Sequence, residues 1–273
     1  MSENKKVVIV GGASGIGKTL AEKLLRGNYH VTITDHHQNK LEAARSQLEK
    51  IQPGLLSTLA FDITDRKGSI EALNQIEPSK GLDCLVVSAG AHSAFPVEYM
   101  TDNVIDSVMD VNLTAHIKLV RDALPKIKDG GKIIGISSIA AGLGIPMSSM
   151  YSATKAGLEG FYESLSTEVS YRNIKAVLIQ PGNVNTGFNE TGNDYRPTGN
   201  RYIDEGYARV VSSIDSSKGM NPEIVADVIY QAIKSSSPKF CYIVGMNALK
   251  AHWAKKILGR DLALKVMAKY FGF

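Results

Sequence analysis

Tyr151 and Lys155 stand four residues apart in the run Tyr151-Ser152-Ala153-Thr154-Lys155, a spacing that puts both side chains on one face of a helix. A phenol with an ordinary pKa of about 10 is a poor base at neutral pH, but a neighbouring ammonium favours its phenolate, so the pair suits general acid/base work. The same spacing decorates many solvated helices, so further groups are needed to give it meaning. One set is the run Gly11-Gly12-Ala13-Ser14-Gly15-Ile16-Gly17, which joins VVIV to KTLAEKLLRG. Glycines at 11, 15 and 17 allow a tight turn and close approach to a pyrophosphate, which the N–H groups of a following helix would stabilise. Asp35 follows Gly17 by 18 residues. That is near the spacing of about 20 for a carboxylate that accepts hydrogen bonds from an adenosine ribose. A carboxylate there repels a 2′-phosphate, and no Arg or Lys follows before Lys40, so NAD(H) is expected over NADP(H). A lone Asp is as readily a helix cap, and the glycine turn upstream decides for the ribose.

These groups need elements to hold them. Apolar, β-branched runs recur as VVIVG from Val7, HVTITD from His30, LLSTLAFDI from Leu55, LDCLVVSAG from Leu82, KIIGISS from Lys132, IKAVLIQPG from Ile174 and KFCYIVG from Lys239. Each precedes a longer segment with helical spacing, which is the pattern of βαβ units around a parallel sheet covered on both faces. The expected fold is α/β, a doubly wound Rossmann-type sheet of seven parallel strands in one domain over residues 1–245. Ligands belong at the carboxyl ends of its strands. Residues 187–220, polar and rich in Gly, Asn and Tyr, read as a long irregular lid over the site.

The chain has 273 residues, is 44% hydrophobic and 21% charged, and can bury a sizeable core, which argues against disorder. Its net charge of +4 is weak grounds for nucleic-acid binding, and no nucleic-acid partner is expected. Cys84 and Cys241 sit in apolar runs, as buried core thiols of a reducing compartment do. Only four apolar residues follow MSENKK before Gly11, and no apolar run is long enough to span a bilayer, so a soluble cytoplasmic protein is expected. No Cys/His cluster has zinc spacing, so chemistry without a metal is favoured.

Taken in order along the chain, these motifs resemble the short-chain dehydrogenases/reductases in their compact form of about 250 residues. The resemblance runs from about Lys5 to Gly245. It rests on Gly11 to Gly17, Asp62 of FDITD, VSAG at Val87 to Gly90, Val111-Asn112, ISS ending at Ser138, YSATK at 151–155, and the Pro181 to Thr186 run. The resemblance implies an NAD(H)-dependent oxidoreductase that interconverts a secondary alcohol and a carbonyl compound. Tyr151 would be the acid/base and Ser138 would polarise the substrate oxygen. Lys155 would bind the nicotinamide ribose and lower the Tyr pKa, and Asn112 would hold a relay water. It further implies coenzyme contacts at Gly11, Ser14, Gly15, Ile16, Gly17, Asp35, Asp62 by the adenine, Ile63, Ala89, Gly90, Pro181 and Gly182, with Val184 and Thr186 at the nicotinamide carboxamide. A homodimer or homotetramer is expected. Val10 and Ser88 depart from the family pattern of Thr and Asn at these places, which touches support of the coenzyme rather than the chemistry.

A substrate pocket of Phe95, Leu143, Ile145, Met147, Met150 and Phe188 would take an apolar alcohol or ketone. His92, Asn189 and the lid tyrosines would add polar contacts, although His92 is expected as a solvated loop residue rather than a ligand. One rival is a dinucleotide-sensing regulatory protein, because fold does not fix function. A lyase or isomerase is another. The intact Asn112, Ser138, Tyr151 and Lys155 argue for the enzyme.

Beyond the resemblance, residues 246–273 form a basic extension with Leu249, Trp253 and Ile257, then Leu264, Met267 and Phe271, at helical spacing, broken near Gly259. Its six basic residues against Asp261 leave a net −1 on the rest of the chain. Packing of its apolar face on the domain, over the site mouth or against another subunit is expected ahead of peripheral membrane contact.

Overall fold

The computed structural model describes residues 4–76, 81–188 and 195–273. These residues carry seven parallel strands: β1 (Lys6–Val10), β2 (His30–Asp35), β3 (Leu56–Ala60), β4 (Leu82–Val87), β5 (Ile127–Ile136), β6 (Lys175–Pro181) and β7 (Cys241–Val244). They lie in the order β3-β2-β1-β4-β5-β6-β7, so the winding reverses between β1 and β4. There Val10 pairs with Val87, and the crevice at the carboxyl ends opens between the loops that follow them. This is the expected doubly wound sheet. Its inner strands β1, β4 and β6 and the second half of β5 are mostly buried because both faces are covered, while the edge strands β3 and β7 are largely half-buried.

On one face α1 (Gly15–Arg26), α2 (Gln38–Leu48) and α9 (Pro222–Lys234) bury Leu20, Leu24, Leu41 and Ile229 against Val7, Ile9 and Ile33. On the other, α3 (Arg66–Gln75), α4 (Asp102–Met109), α5 (Ala115–Ala123) and α7 (Ser149–Glu168) place Leu73, Leu119 and Leu158 over Val8, Leu85 and Ile133. Between α4 and α5 the chain makes a π-turn over Asp110–Thr114, which leaves one helical course with one wider turn in it. A short α6 (Ile139–Gly142) precedes α7.

Two expectations change. Residues 187–220 are not wholly irregular, because α8 (Arg201–Ser213) runs through them. Asn200 caps it by accepting from the Tyr202 N–H, and Arg201–Glu205 and Arg209–Glu205 pairs line its outer face. That polar, Gly- and Tyr-bearing sequence hides a helix whose buried side is only Gly206 and Val210.

The extension is α10 (Met246–Phe271), kinked at Gly259, where φ is 74°. Of the placements expected for its apolar face, packing of Leu249, Trp253 and Ile257 on the domain does not occur: Trp253 is 52% and Ile257 77% exposed. Ala248, Ala251 and Lys255 face inward instead. The small alanines allow close approach, with the Ala248 methyl beside Gly182, and Lys255 Nζ donates to the Gly142 carbonyl. After the kink Ala263 and Phe271 dock, Arg209 donates to the Phe271 carbonyl at 3.2 Å, and the Phe273 ring meets Tyr202.

Candidate active site

At the switch point lies a cleft of about 1290 Å³. Its floor begins at the glycine turn, where the Gly11 and Gly12 N–H groups both donate to the Thr34 carbonyl. Gly11 has φ of 79°, and a Cβ on it would come within 2.6 Å of the Ala89 nitrogen. A Cβ on Gly17 would lie 2.2 Å from the Gly11 carbonyl oxygen, so α1 can meet the turn only without side chains there. Ser14, the N-cap of α1, makes no side-chain cap bond, and no acid sits in the first turn. The N–H groups of that helix end therefore face the cleft uncapped by side chain, as a cradle for a dinucleotide phosphate requires.

Asp35 closes β2 and accepts from the His37 N–H at 3.0 Å, with His36 Nδ1 3.5 Å away. The His36 and His37 rings lie 3.7 Å apart, tilted at 39° to each other, and line this end of the cleft, a feature the sequence reading passed over. Asp62 faces the same end. Burial works to raise its pKa, but hydrogen bonds from the Thr64 N–H and hydroxyl prevail and hold it low.

At the other end Tyr151 and Lys155 leave the first two turns of α7 on one face, with Lys155 Nζ 5.5 Å from the Tyr151 ring centre. Lys155 Nζ also donates to the Ile136 carbonyl at 2.9 Å. Burial pushes the Tyr151 phenol up to about 12, and a hydrogen bond with Ser138 pulls the other way. Burial lowers the Lys155 ammonium to about 8. At pH 7 the phenol therefore keeps its proton and the ammonium is mostly charged. Ser138 caps α6, accepting from the Ala140 N–H at 3.1 Å, and its hydroxyl lines the cleft.

Asn112 does not line the cleft but sits fully buried behind it, in the π-turn. Its Oδ1 accepts from the Ala91 N–H at 2.7 Å, and its Nδ2 donates to the Ala91 carbonyl at 2.8 Å and to Thr154 Oγ1 at 3.3 Å. One amide thus ties the loop after β4 to the helix that carries Tyr151 and Lys155.

Of the sequence-derived site residues, the cleft is lined by Gly11, Ser14, Gly15, Ile16, Asp35, Asp62, Ile63, Ala89, Gly90, Ser138, Tyr151, Lys155, Pro181, Gly182, Val184 and Thr186. Gly17 and Asn112 support the wall. The pocket expectations fare less well. Ile145 and Phe188 line the cleft, whereas Phe95, Leu143, Met147 and Met150 do not; Asn189 lies outside the described residues. The Phe95 N–H instead bonds the Met147 carbonyl at 2.6 Å, which turns both residues to structural use.

His92 is corrected outright: it is 5% exposed, not solvated. Its ring packs edge-on to Tyr151 at 4.9 Å, its Nε2 meets Ser148 Oγ at 3.2 Å, and burial lowers its pKa to about 4. It is a neutral wall of the cleft. The rim is formed by α10, whose Met246, Ala251, Tyr270 and Phe271 line the mouth, one of the places expected for the extension. The buried pair His116 and Tyr162, joined at 2.9 Å, underlies the sheet side of α7.

Known proteins are similar to this chain in sequence and fold. A family profile described as short chain dehydrogenase matches residues 5–196. An NADPH-dependent 3-dehydrocapnine reductase of Ornithobacterium rhinotracheale is 30% identical over 96% of this chain and 95% of its own. A 3-ketodihydrosphingosine reductase of Bacteroides thetaiotaomicron is 31% identical over 88% of this chain and 87% of its own. In fold, a short-chain dehydrogenase from Streptomyces avermitilis superposes with a TM-score of 0.85 at 23% identity, covering 97% of this chain and 96% of that one.

Proposed function

The chain belongs to the short-chain dehydrogenase/reductase family, and on that premise we propose that it is an NAD(H)-dependent oxidoreductase interconverting a secondary alcohol and a ketone or aldehyde. The observation that carries this reading is the Tyr151 phenol, half-buried on the wall of a dinucleotide-sized cleft with Lys155 Nζ 5.5 Å from its ring.

The coenzyme's nicotinamide would supply or accept the hydride. The chain's own residues hold it and handle the proton. The α1 end with Gly11, Ser14, Gly15 and Ile16 receives the pyrophosphate, Asp35 the adenosine ribose, and Asp62 and Ile63 the adenine side. Ala89, Gly90, Pro181, Gly182, Val184 and Thr186 border the nicotinamide half. Asp35 favours NAD(H) by repelling a 2′-phosphate; the relative named as NADPH-dependent makes coenzyme choice a property to measure in this chain.

When a carbonyl is reduced, negative charge grows on its oxygen. The Tyr151 and Ser138 hydroxyls border the cleft where that oxygen would sit and are held in place before reaction. Tyr151 gives up its proton, the Lys155 cation stabilises the phenolate that remains, and Asn112, buried behind the wall, would hold a relay water. A phenol held protonated at neutral pH favours donation, which supports reduction as the working direction. The names of the two reductase relatives point the same way. Ile139, Ile145, Phe188 and Ile214 on the cleft wall suit a carbonyl on an apolar body. A dinucleotide sensor would have no use for the Tyr151–Lys155 arrangement. Two free thiols, one of them buried, suit a reducing, cytoplasmic setting.

The test is a screen of ketones and alcohols with NAD(H) and NADP(H), read by absorbance of the reduced nicotinamide. Turnover of an apolar ketone is expected. Binding of either coenzyme without turnover of any carbonyl or alcohol would favour the sensor.

A further inference from the structure

The two halves of α10 turn apolar side chains away from the protein. In the first half Met246, Leu249, Trp253 and Ile257 follow at steps of three and four, opposite the docked Ala248, Ala251 and Lys255, and all four are exposed. Lys250 and Lys256 border that stripe on its two sides, with Lys256 Nζ 5.0 Å over the Trp253 ring. In the second half Leu262, Val266 and Tyr270 form another exposed stripe beside Lys265 and Lys269, and Tyr270 is 72% exposed. No helix among the described residues is long and apolar enough to cross a membrane.

Apolar stripes edged by lysines are the pattern of a helix that lies in a lipid interface. The apolar side chains enter the acyl boundary, an indole sits at headgroup level, and lysine stems reach back to the phosphates. Charge selects between occupants. The last 28 residues hold six basic groups and one acidic, while the rest of the chain is net −1. A second copy docked on this face would set like charge against like charge, whereas an anionic lipid surface complements it. The face is also continuous with the cleft, because Met246 and Tyr270 belong both to the exposed stripes and to the mouth.

We propose that the outward face of α10 docks on an anionic lipid bilayer, with the mouth of the cleft opening against the lipid between Met246 and Tyr270. A carbonyl compound dissolved in the bilayer would then reach Tyr151 without crossing water. That delivery role rests on the reductase reading; the docking does not.

Trp253 is the single tryptophan of the chain, so its fluorescence reports on this face. The full chain is mixed with phosphatidylcholine vesicles, with and without phosphatidylglycerol, and followed by emission, by quenching with brominated lipid, and by flotation. With anionic vesicles a blue shift, quenching and co-flotation are expected, all weakened by high salt. Lys250→Gln and Lys256→Gln should each weaken partitioning about fivefold. Ile257→Glu with Leu249→Glu should abolish flotation, while coenzyme binding, read separately, confirms that these variants are folded. The proposal is overturned if the full chain ignores anionic vesicles, if it binds neutral and anionic vesicles alike, or if the Glu variant floats like the parent. Dissociation of an oligomer by the Glu variant, with no vesicle binding by the parent, would assign the face to a second copy instead. No substrate enters the assay, so a failed search for turnover leaves it intact.

Discussion

The floor and the rim of the cleft are built on opposite terms. On and behind the floor the key polar groups are held by other residues: Asn112 by Ala91 and Thr154, Lys155 by the Ile136 carbonyl, Asp62 by Thr64. Glycines stand where a Cβ would strike backbone, and burial sets the protonation states. At the rim α10 touches the domain through alanines and Lys255 before its kink and through Ala263 and Phe271 after it, and most of its other large apolar groups point outward. The floor can do one kind of chemistry and tolerates little change. The rim borders the way in and is held by few contacts.

Substitutions should therefore cost less activity the farther they lie from the floor. Tyr151→Phe removes only the proton donor, and turnover should fall about 10²- to 10⁴-fold with coenzyme affinity kept, measured by steady-state rates and coenzyme fluorescence. A near-normal rate would erase the distinction at its strongest point.

Raising the pH comes next. The Lys155 ammonium, lowered to about 8, is lost above that pH, whereas the Tyr151 proton stays until about 12. Ketone reduction needs both protons in place, so kcat/KM should be level below pH 8 and fall about tenfold per unit above it, as a single titration dictates. A profile level to pH 10 would show that Lys155 does not support the phenolate.

Asp35→Ala should shift the NAD(H)/NADP(H) ratio of kcat/KM about tenfold toward NADP(H), because one charge repulsion is removed while His36 and His37 remain. An unchanged ratio counts against Asp35 as the selector. The smallest effect belongs to the rim: Ile257→Ser should alter stability by less than about 0.5 kcal/mol in urea titrations. A loss several times larger would mean that α10 packs on something in solution.

The same contrast explains what the sequence discloses. Strands and the glycine turn are local: a buried parallel strand needs a continuous apolar run, and Gly11 and Gly17 are dictated by contacts within one βα unit. Tyr151 and Lys155 are legible because one helix sets their relation. His92 was misread because its burial depends on Ser148 and Tyr151, far along the chain. The Leu249 stripe was misread because hydrophobic periodicity marks an apolar face without saying which face docks, and here the alanines do. Residues 201–213 carried helical pairs under a turn-like composition, and a helix burying only Gly206 and Val210 leaves a faint apolar signal.

The π-turn at Asp110–Thr114 is in effect an insertion of one residue into a helix. Upstream of it α4 is rotated by about 100° from the phase that α5 would continue, since each residue advances an α-helix by that angle. Deleting one residue within the turn would give a straighter helix with every hydrogen bond in ladder, yet it would swing Asn112 away from Ala91. The regular helix is the simpler structure, and this chain keeps the irregular one at the point where a side chain has to reach out of the helix to the loop after β4.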